Sequence, residues 1–250
     1  MGKPVPGGML GIDVSHWQGD IDWAAVAKGP VQGEQVRFAY AKASTGATGR
    51  DKRWIQNAVG ATAAGIPLGG YHWIRPGFND PIAEADNFCN ALQAALDAGA
   101  KLDLAPMVDL EEKPADGSTA DSTIAYLDAC CDRIQQRTGR RPIVYTGSSY
   151  AASYLARRPL AHPIWIAQYN KPSCNYDPAT DAPNKLNDTT YNWSVWQYCS
   201  KGSVPGIGGN VDLNVVRPGY EGAIFREGSD SGILLAALMA LIAFVLVRRG

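Results

Sequence analysis

The chain has 250 residues, is 46% hydrophobic, contains 27 glycines and carries a formal net charge of −1. That length suits one large α/β domain with a substantial buried core. Near-neutral charge, with no basic run before the last three residues, argues against nucleic acid as a main partner.

The predicted elements alternate along the chain. Residues 10–19 (LGIDVSHWQG) make a first strand with an apolar start and a polar, aromatic end. A short helix follows over 20–28, with Asp22 as its N-cap. The second strand is 36–44 (VRFAYAKAS), and a helix over 50–65 ends on Gly65. The third strand is 67–74 (PLGGYHWI), and the helix over 80–98 carries Ile82, Ala85, Phe88, Cys89, Leu92 and Leu96 on one side. The fourth strand is 104–112 (LAPMVDLEE), followed by a polar loop over 115–121 and a helix over 122–138. A fifth strand, 141–147, leads into a short helix, 148–155. Beyond it the strands 163–169, 193–198 and 211–216 are separated by loops rich in Pro, Asn and Gly. Eight strands with interleaved helices predict an α/β fold with a largely parallel sheet, closed as an irregular eight-stranded β/α barrel.

The 104–112 strand is the centre of the chemistry. It is apolar on both sides, as in a covered parallel sheet, and ends in Asp109, Glu111 and Glu112. Residues i and i+2 of a strand share a face, so Asp109 and Glu111 project together. Catalytic groups in such folds collect at strand C-termini. The other strand ends add Asp13 and His16, Lys42 and Ser44, Tyr71, His72 and Trp73, Tyr145, Gln168 and Tyr169, Gln197 and Tyr198, and Asp212. An acidic centre ringed by aromatics suits glycosidic cleavage, which needs a proton donor, negative charge beside a cationic transition state, and flat faces for sugars.

Other chemistries are less well served. Ser15 and His16 are adjacent, hence on opposite strand faces, and no GxSxG elbow is present. A metal-dependent, polysaccharide deacetylase-like site would draw on His16, His72, Asp13 and Asp109, but three histidines and no HxxxH make a thin ligand set. No metal and no cofactor are expected. A non-catalytic sugar-binding barrel is the remaining alternative. The five cysteines (89, 130, 131, 174 and 199) include no CxxC. Cys89, Cys130 and Cys131 fall in helices as small buried groups, Cys174 and Cys199 are able to pair, and a mostly reduced protein is expected.

The segments GIDVSHWQG, YAKASTG, GGYHWIRP, PMVDLEE, RPIVYTG, PIWIAQY, WSVWQY and GNVDLNV occur in order from Leu10 to Val216. Together they resemble glycoside hydrolase family 25, the N-acetylmuramidase lysozymes of phage endolysins and bacterial autolysins. The resemblance implies a flattened, irregular β/α barrel over 10–225. It implies peptidoglycan as substrate, cleaved with retention at the β-1,4 bond from N-acetylmuramic acid to N-acetylglucosamine, for cell-wall lysis. It makes Glu111 the general acid/base and Asp109 the group that orients the substrate N-acetyl as it attacks the anomeric carbon. Asp13 and Asp212 become supporting carboxylates. Tyr71, Lys42, Tyr145, Trp165, Gln168, Tyr169, Trp196, Gln197 and Tyr198 become the sugar-binding set. One departure is Thr45, where the family pattern has Glu.

The ends of the chain differ from the barrel. Residues 1–9 form a tail without the apolar stretch of a secretory signal peptide. Residues 226–231 are a polar linker, and 232–247 are uncharged and apolar, followed by Arg248 and Arg249. Sixteen helical residues span roughly 24 Å at ~1.5 Å each, slightly short of a bilayer core, and the flanking arginines extend the reach. A transmembrane helix over 232–250 is expected, with the arginines cytoplasmic and a monomeric barrel facing the wall.

Overall fold

The computed structural model describes residues 8–156, 158–169, 174 and 192–225. The strands are β1 (Met9–Val14), β2 (Phe38–Thr45), β3 (Gly49–Arg50), β4 (Leu68–Trp73), β5 (Met107–Asp109), β6 (Ile143–Gly147), β7 (Ile164–Ala167), β8 (Trp193–Gly202) and β9 (Val211–Val216). The α-helices are α1 (Trp23–Lys28), α2 (Trp54–Ala63), α3 (Pro81–Asp97), α4 (Ala120–Thr138) and α5 (Ser148–Tyr154). The sheet order is β1-β9-β8-β7-β6-β5-β4-β2-β3, and β1 pairs back onto β2. Eight strands thus close a barrel, with the two-residue β3 as a spur on β2.

The barrel is mixed, where a largely parallel sheet was expected. Pairings from β1–β2 through β7–β8 are parallel, but β9 is antiparallel to both β8 and β1. The physical reason is the short connection: only eight residues separate Gly202 from Val211, too few for a parallel crossover.

The helix boundaries follow their caps. Asp22 accepts from the Ala25 amide, and Asp80 accepts from the Ile82 and Ala83 amides ahead of a proline in the first turn. Thr119 and Ser122 form a reciprocal capping box on α4, which starts two residues before the expected point. The β5 strand is shorter than expected. Pro106 has no N–H for the ladder, so pairing begins at Met107, while the Pro106 carbonyl still accepts from Ile143 N at 3.0 Å. Asp109 therefore ends the strand and Glu111 lies just beyond it.

Parity along the strands separates two cores. Ile12, Val14, Ala39, Ala41, Val108, Val144, Ile164, Ile166, Trp196 and Leu213 face outward beneath the helices. Phe38, Tyr40, Met107, Ile143, Tyr145, Trp165, Val195 and Val216 fill the barrel. Gly11 and Gly69 make room for this filling. Gly11 is paired with Phe38 and Gly69 with Tyr40, and a Cβ there would lie 2.2 Å and 2.4 Å from the respective aromatic rings. Gly11→Ala is expected to lower stability by about 1–3 kcal/mol through overpacking. A urea midpoint unchanged from the parent would refute that account.

Leu104 bridges to Phe225, and Ala105 N donates to the Ile224 carbonyl. Residues 221–225 thereby close the N-terminal end of the barrel, which we call its base. The expected linker (226–231) and membrane helix (232–250) lie outside the described residues. Among the described residues no helix is long and apolar enough to cross a membrane. Cys174 and Cys199 form a disulfide, with Cα atoms 4.9 Å apart, which corrects the expectation of a mostly reduced chain. Cys89, Cys130 and Cys131 are buried thiols.

Candidate active site

The same parity that fills the barrel brings polar groups to its C-terminal mouth. On β2 the inward series is Phe38, Tyr40, Lys42; on β5 it is Met107 then Asp109; on β8 it is Val195 then Gln197. Because β9 runs the other way, its first inward residue, Asp212, is at the mouth. The resulting cavity, about 250 Å³, is lined by Asp13, Lys42, Tyr71, Asp109, Glu111, Tyr145, Tyr169, Gln197 and Asp212, with Met107 beneath and Trp17, Gln18 and Trp73 at the side.

Four carboxylates share this space, and each is held above its ordinary pKa. Asp13 and Asp212 face each other directly across the β1–β9 pair, a like-charge juxtaposition that costs stability. Asp13 is buried, and burial raises its pKa; Gln197 Nε2 and Asn214 Nδ2, each donating to Oδ2 at 2.8 Å, pull in the opposite direction. Asp212 is pushed up to about 8, mainly by burial and then by the charges of Asp13 and Glu111. Glu111 is pushed up to about 7 by burial first and by Asp13 next, with Lys42 opposing. Asp109 is raised well above the usual carboxylate range: burial leads, Glu111 adds repulsion, and Lys42 offsets part of it. Its Oδ1 is buried without a hydrogen-bond partner among the described residues, an exposed debt of polarity characteristic of functional sites.

Surrounding groups fix these acids in place. The Gln197 amide is locked because its Oε1 accepts from Tyr145 OH (2.9 Å) and Tyr169 OH (2.5 Å), leaving its NH2 for Asp13. Asn214 is locked likewise: Trp165 Nε1 can only donate, and it donates to Asn214 Oδ1 at 3.1 Å, turning the Asn214 NH2 toward Asp13. Lys42 Nζ lies 4.4 Å above the Trp73 ring, and Trp73 Nε1 donates to Glu112. Ser15 and Gln18 form a capping box on the 3-10 turn His16–Gln18, which presents Trp17 with 83% of its surface exposed.

Nine of the expected site residues meet in the cavity and four do not. Trp165 points inward but lies one layer down, fully buried against Tyr40 at 5.0 Å. Trp196 and Tyr198 flank Gln197 with the opposite parity and face the outer core. Gln168 is buried and is not part of the lining. Trp17 and Asn214 were not among the expected site residues, and Trp73 was expected at the mouth but not in the sugar-binding set. Trp17 and Trp73 were visible in the motifs as flat residues at strand ends, and Asn214 as the i+2 neighbour of Asp212. Thr45 is not in the lining; its hydroxyl donates to the Trp73 carbonyl at 3.3 Å.

The histidines sit elsewhere. His16 pairs with Asp51 at 2.7 Å. His72 is fully buried on the outer side of β4, between Ser44 at 2.8 Å and Glu84 at 3.3 Å. This Ser-His-Glu row copies a hydrolase triad in order but is sealed from solvent, and burial lowers the His72 pKa. A site combining His72 with Asp13 and Asp109 is ruled out by the strand faces. Among the described residues no group of three or more His, Cys, Asp or Glu side chains is placed to hold a metal.

The shared charge carries a stability consequence. A carboxyl raised in the native state favours folding fully below its unfolded-state pKa and loses that contribution as pH climbs through the native value. For Asp212 the window runs from 3.8 to about 8. Asp212→Asn is therefore expected to stabilise the fold at pH 8 by on the order of a few kcal/mol and to do little near pH 4. Thermal melts at both pH values check this; equal shifts would contradict it.

Clustered acids, a single lysine and rim aromatics at the C-terminal mouth of a β/α barrel define a carboxylate-dependent glycosidase. The comparisons agree. The model of the family "Glycosyl hydrolases family 25" matches residues 12–207. Lysozyme M1 of Streptomyces globisporus is 30% identical over 217 residues, covering 83% of this chain and 67% of its own. A lysozyme structure from Streptomyces coelicolor aligns with TM-score 0.66 at 27% identity, over 92% of this chain and 97% of that one. The Clostridium perfringens spore cortex lytic enzyme SleM aligns with TM-score 0.71 at 26% identity, over 88% and 70%. The chain belongs to glycosyl hydrolase family 25 and is a glycoside hydrolase of the lysozyme type.

Proposed function

We propose that the protein hydrolyses the β-1,4 bond from N-acetylmuramic acid to N-acetylglucosamine in peptidoglycan, with retention and by substrate assistance. The observation that carries this reading is the pairing of Asp109 and Glu111 in one cavity, both with pKa values raised chiefly by burial and then by neighbouring carboxylates. Glu111, near 7, holds a proton in a useful fraction of molecules at neutral pH and can deliver it to the leaving oxygen. Asp109, with its unpartnered Oδ1, accepts from the substrate acetamide N–H while the acetamide oxygen attacks the anomeric carbon. The scheme requires the proton on Glu111 and the charge on Asp109, a distribution that the acetamide N–H favours by donating to the ionised Asp109. As the leaving bond breaks, that proton passes to the departing sugar oxygen. Glu111 then takes a proton from water as the water opens the oxazolinium-like intermediate, which restores the acid.

Two measurements test the scheme. Mass spectrometry of digested peptidoglycan should find muramic acid at the new reducing ends; reducing-end glucosamine would mean a different bond. Activity should fall about tenfold per pH unit above roughly 7 as Glu111 ionises. A rate flat from pH 6 to 9 would remove Glu111 from the acid role.

We further propose that residues 232–250 anchor the enzyme in a membrane, with the barrel on the side of the wall. The apolar run 232–247 before Arg248 and Arg249 supports this, and the Cys174–Cys199 bond suits an oxidising compartment. Fractionation of cells making the full chain or a chain ending at Glu227 decides the matter. Equal solubility without detergent would end the anchor reading.

A further inference from the structure

The two ends of the barrel differ in charge. The cavity at the mouth gathers Asp13, Asp109, Glu111 and Asp212 against Lys42, while the rim outside it mixes Arg50, Lys52, Arg53 and Lys113 with Asp20, Asp51, Glu112 and Asp116. The base gathers cations. Arg37 and Arg141 lie just before β2 and β6, and Arg217 lies just after the antiparallel β9, so all three sit at the same end. Lys101 joins them, because its amide donates to Thr62 at the end of α2 and Leu104 N donates to Leu68 at the start of β4. Arg37, Lys101 and Arg141 are exposed. None of the four makes an ion pair with a carboxylate among the described residues. Glu34, Asp97, Asp103 and Glu221 share this end, and Lys28, at the end of α1 beside Gln35, adds a fifth exposed or half-exposed cation.

The base is also where the chain leaves the barrel. Phe225 bridges to Leu104, and Arg140 donates to the Phe225 carbonyl at 2.7 Å. Six polar linker residues, 226–231, then precede the apolar run, so the reach from base to that run is at most about 20 Å. Beside Phe225 lies a recess of about 220 Å³ lined by Leu92, Leu96, Leu102 and Leu104, with Arg137 and Arg140.

We infer that the base of the barrel is a docking surface for anionic phospholipid headgroups, holding the catalytic mouth away from the bilayer. The inference rests on the membrane-anchor reading and adds an orientation to it. The exit point tethers the base next to the bilayer, and the cations without an ion-pair partner are attracted to lipid phosphates. Each basic residue near such a surface is worth roughly a fivefold shift in population. The attraction fades when salt shortens the Debye length.

The test uses the full chain reconstituted in vesicles of phosphatidylcholine containing about 30% phosphatidylglycerol. A single fluorescent label is placed at the base through Gln35→Cys, or at the mouth end through Lys52→Cys; the native thiols are buried. Energy transfer to an acceptor lipid should be clearly stronger from the base label. The difference should shrink several-fold in the triple variant Arg37→Glu, Lys101→Glu, Arg141→Glu and at about 0.5 M salt, leaving only what the tether imposes, while all forms still float with the vesicles. Flotation with equal transfer from both labels, or a base preference undiminished in the triple variant and in salt, overturns the docking surface and leaves the anchor standing. Failure of the full chain to float on either pure phosphatidylcholine or the anionic mixture overturns both.

Discussion

Glu111→Gln is expected to lower peptidoglycan hydrolysis by about a thousandfold or more while leaving the melting temperature at pH 5 within a few degrees. The substitution keeps the shape and removes the titrating proton. Glu111 lies past the end of β5, only partly buried, so the barrel core does not depend on it. What it loses is the group whose pKa burial and Asp13 have brought to about 7. An amide has no proton to give a departing alkoxide at neutral pH, so the leaving oxygen must depart unprotonated. Turbidity clearance and released reducing ends provide the readout. Near-parental clearance by a folded variant would mean that another group, Asp212 being the nearest in pKa, supplies the proton.

The rest of the carboxylate cluster was legible in the sequence for a reason that is geometric. Strand ends are positions where apolar periodicity stops, and Asp13, Asp109 and Asp212 each sit where an inward-facing series reaches the mouth. Fold class followed from the alternation of strands and helices. The errors also have a common geometric origin. In WQY and WIAQY, aromatic and polar residues are adjacent, and a one-residue step on a strand turns the side chain to the other face. Gln197 and Tyr169 are in the cavity, so Trp196, Tyr198 and Gln168 cannot be. Trp165 has the right parity but is four residues before Tyr169, which places it under the floor. Composition and motif offered no depth coordinate, and depth is what separates a core tryptophan from a sugar platform. The antiparallel β9 was hidden for a similar reason: VDLNVV alternates identically in either direction, and only the short connection to β8 decides it.

Trp17 shows the complementary case. Among the described residues it is the large apolar side chain least covered by the fold, held on a turn whose backbone is pinned by Ser15 and Gln18. An indole presented this way beside a carboxylate cavity offers a face for a sugar ring. Trp17→Ala is expected to raise KM by about tenfold with kcat nearly unchanged, because the contact is made equally in the ground and transition states. A fall in kcat at constant KM would assign Trp17 to the reacting sugar itself.

Asp109→Asn is expected to move activity and stability in opposite directions. Asp109 is 4% exposed, its Oδ1 has no partner among the described residues, and Glu111, Asp13 and Asp212 all repel its charge. Its pKa is raised in the native state, so ionising it costs free energy that grows as pH rises from the unfolded-state value near 3.8 toward the native one. Below that window Asp and Asn are both neutral, and the substitution gains nothing electrostatically. At pH 8 the neutral amide avoids the repulsion, and the fold should gain about 1–3 kcal/mol, seen as a melting temperature several degrees higher. The gain should shrink to near zero around pH 4. Activity should fall by about a hundredfold or more, because an amide oxygen can still accept from the acetamide N–H but cannot balance the positive charge that develops as the acetamide attacks. Loss of activity without the pH-dependent stabilisation would show that Asp109 is held charged by a partner the geometry does not contain. Stabilisation without loss of activity would show that the buried carboxylate is a structural burden and that the acetamide finds its counter-charge at Asp13 or Asp212.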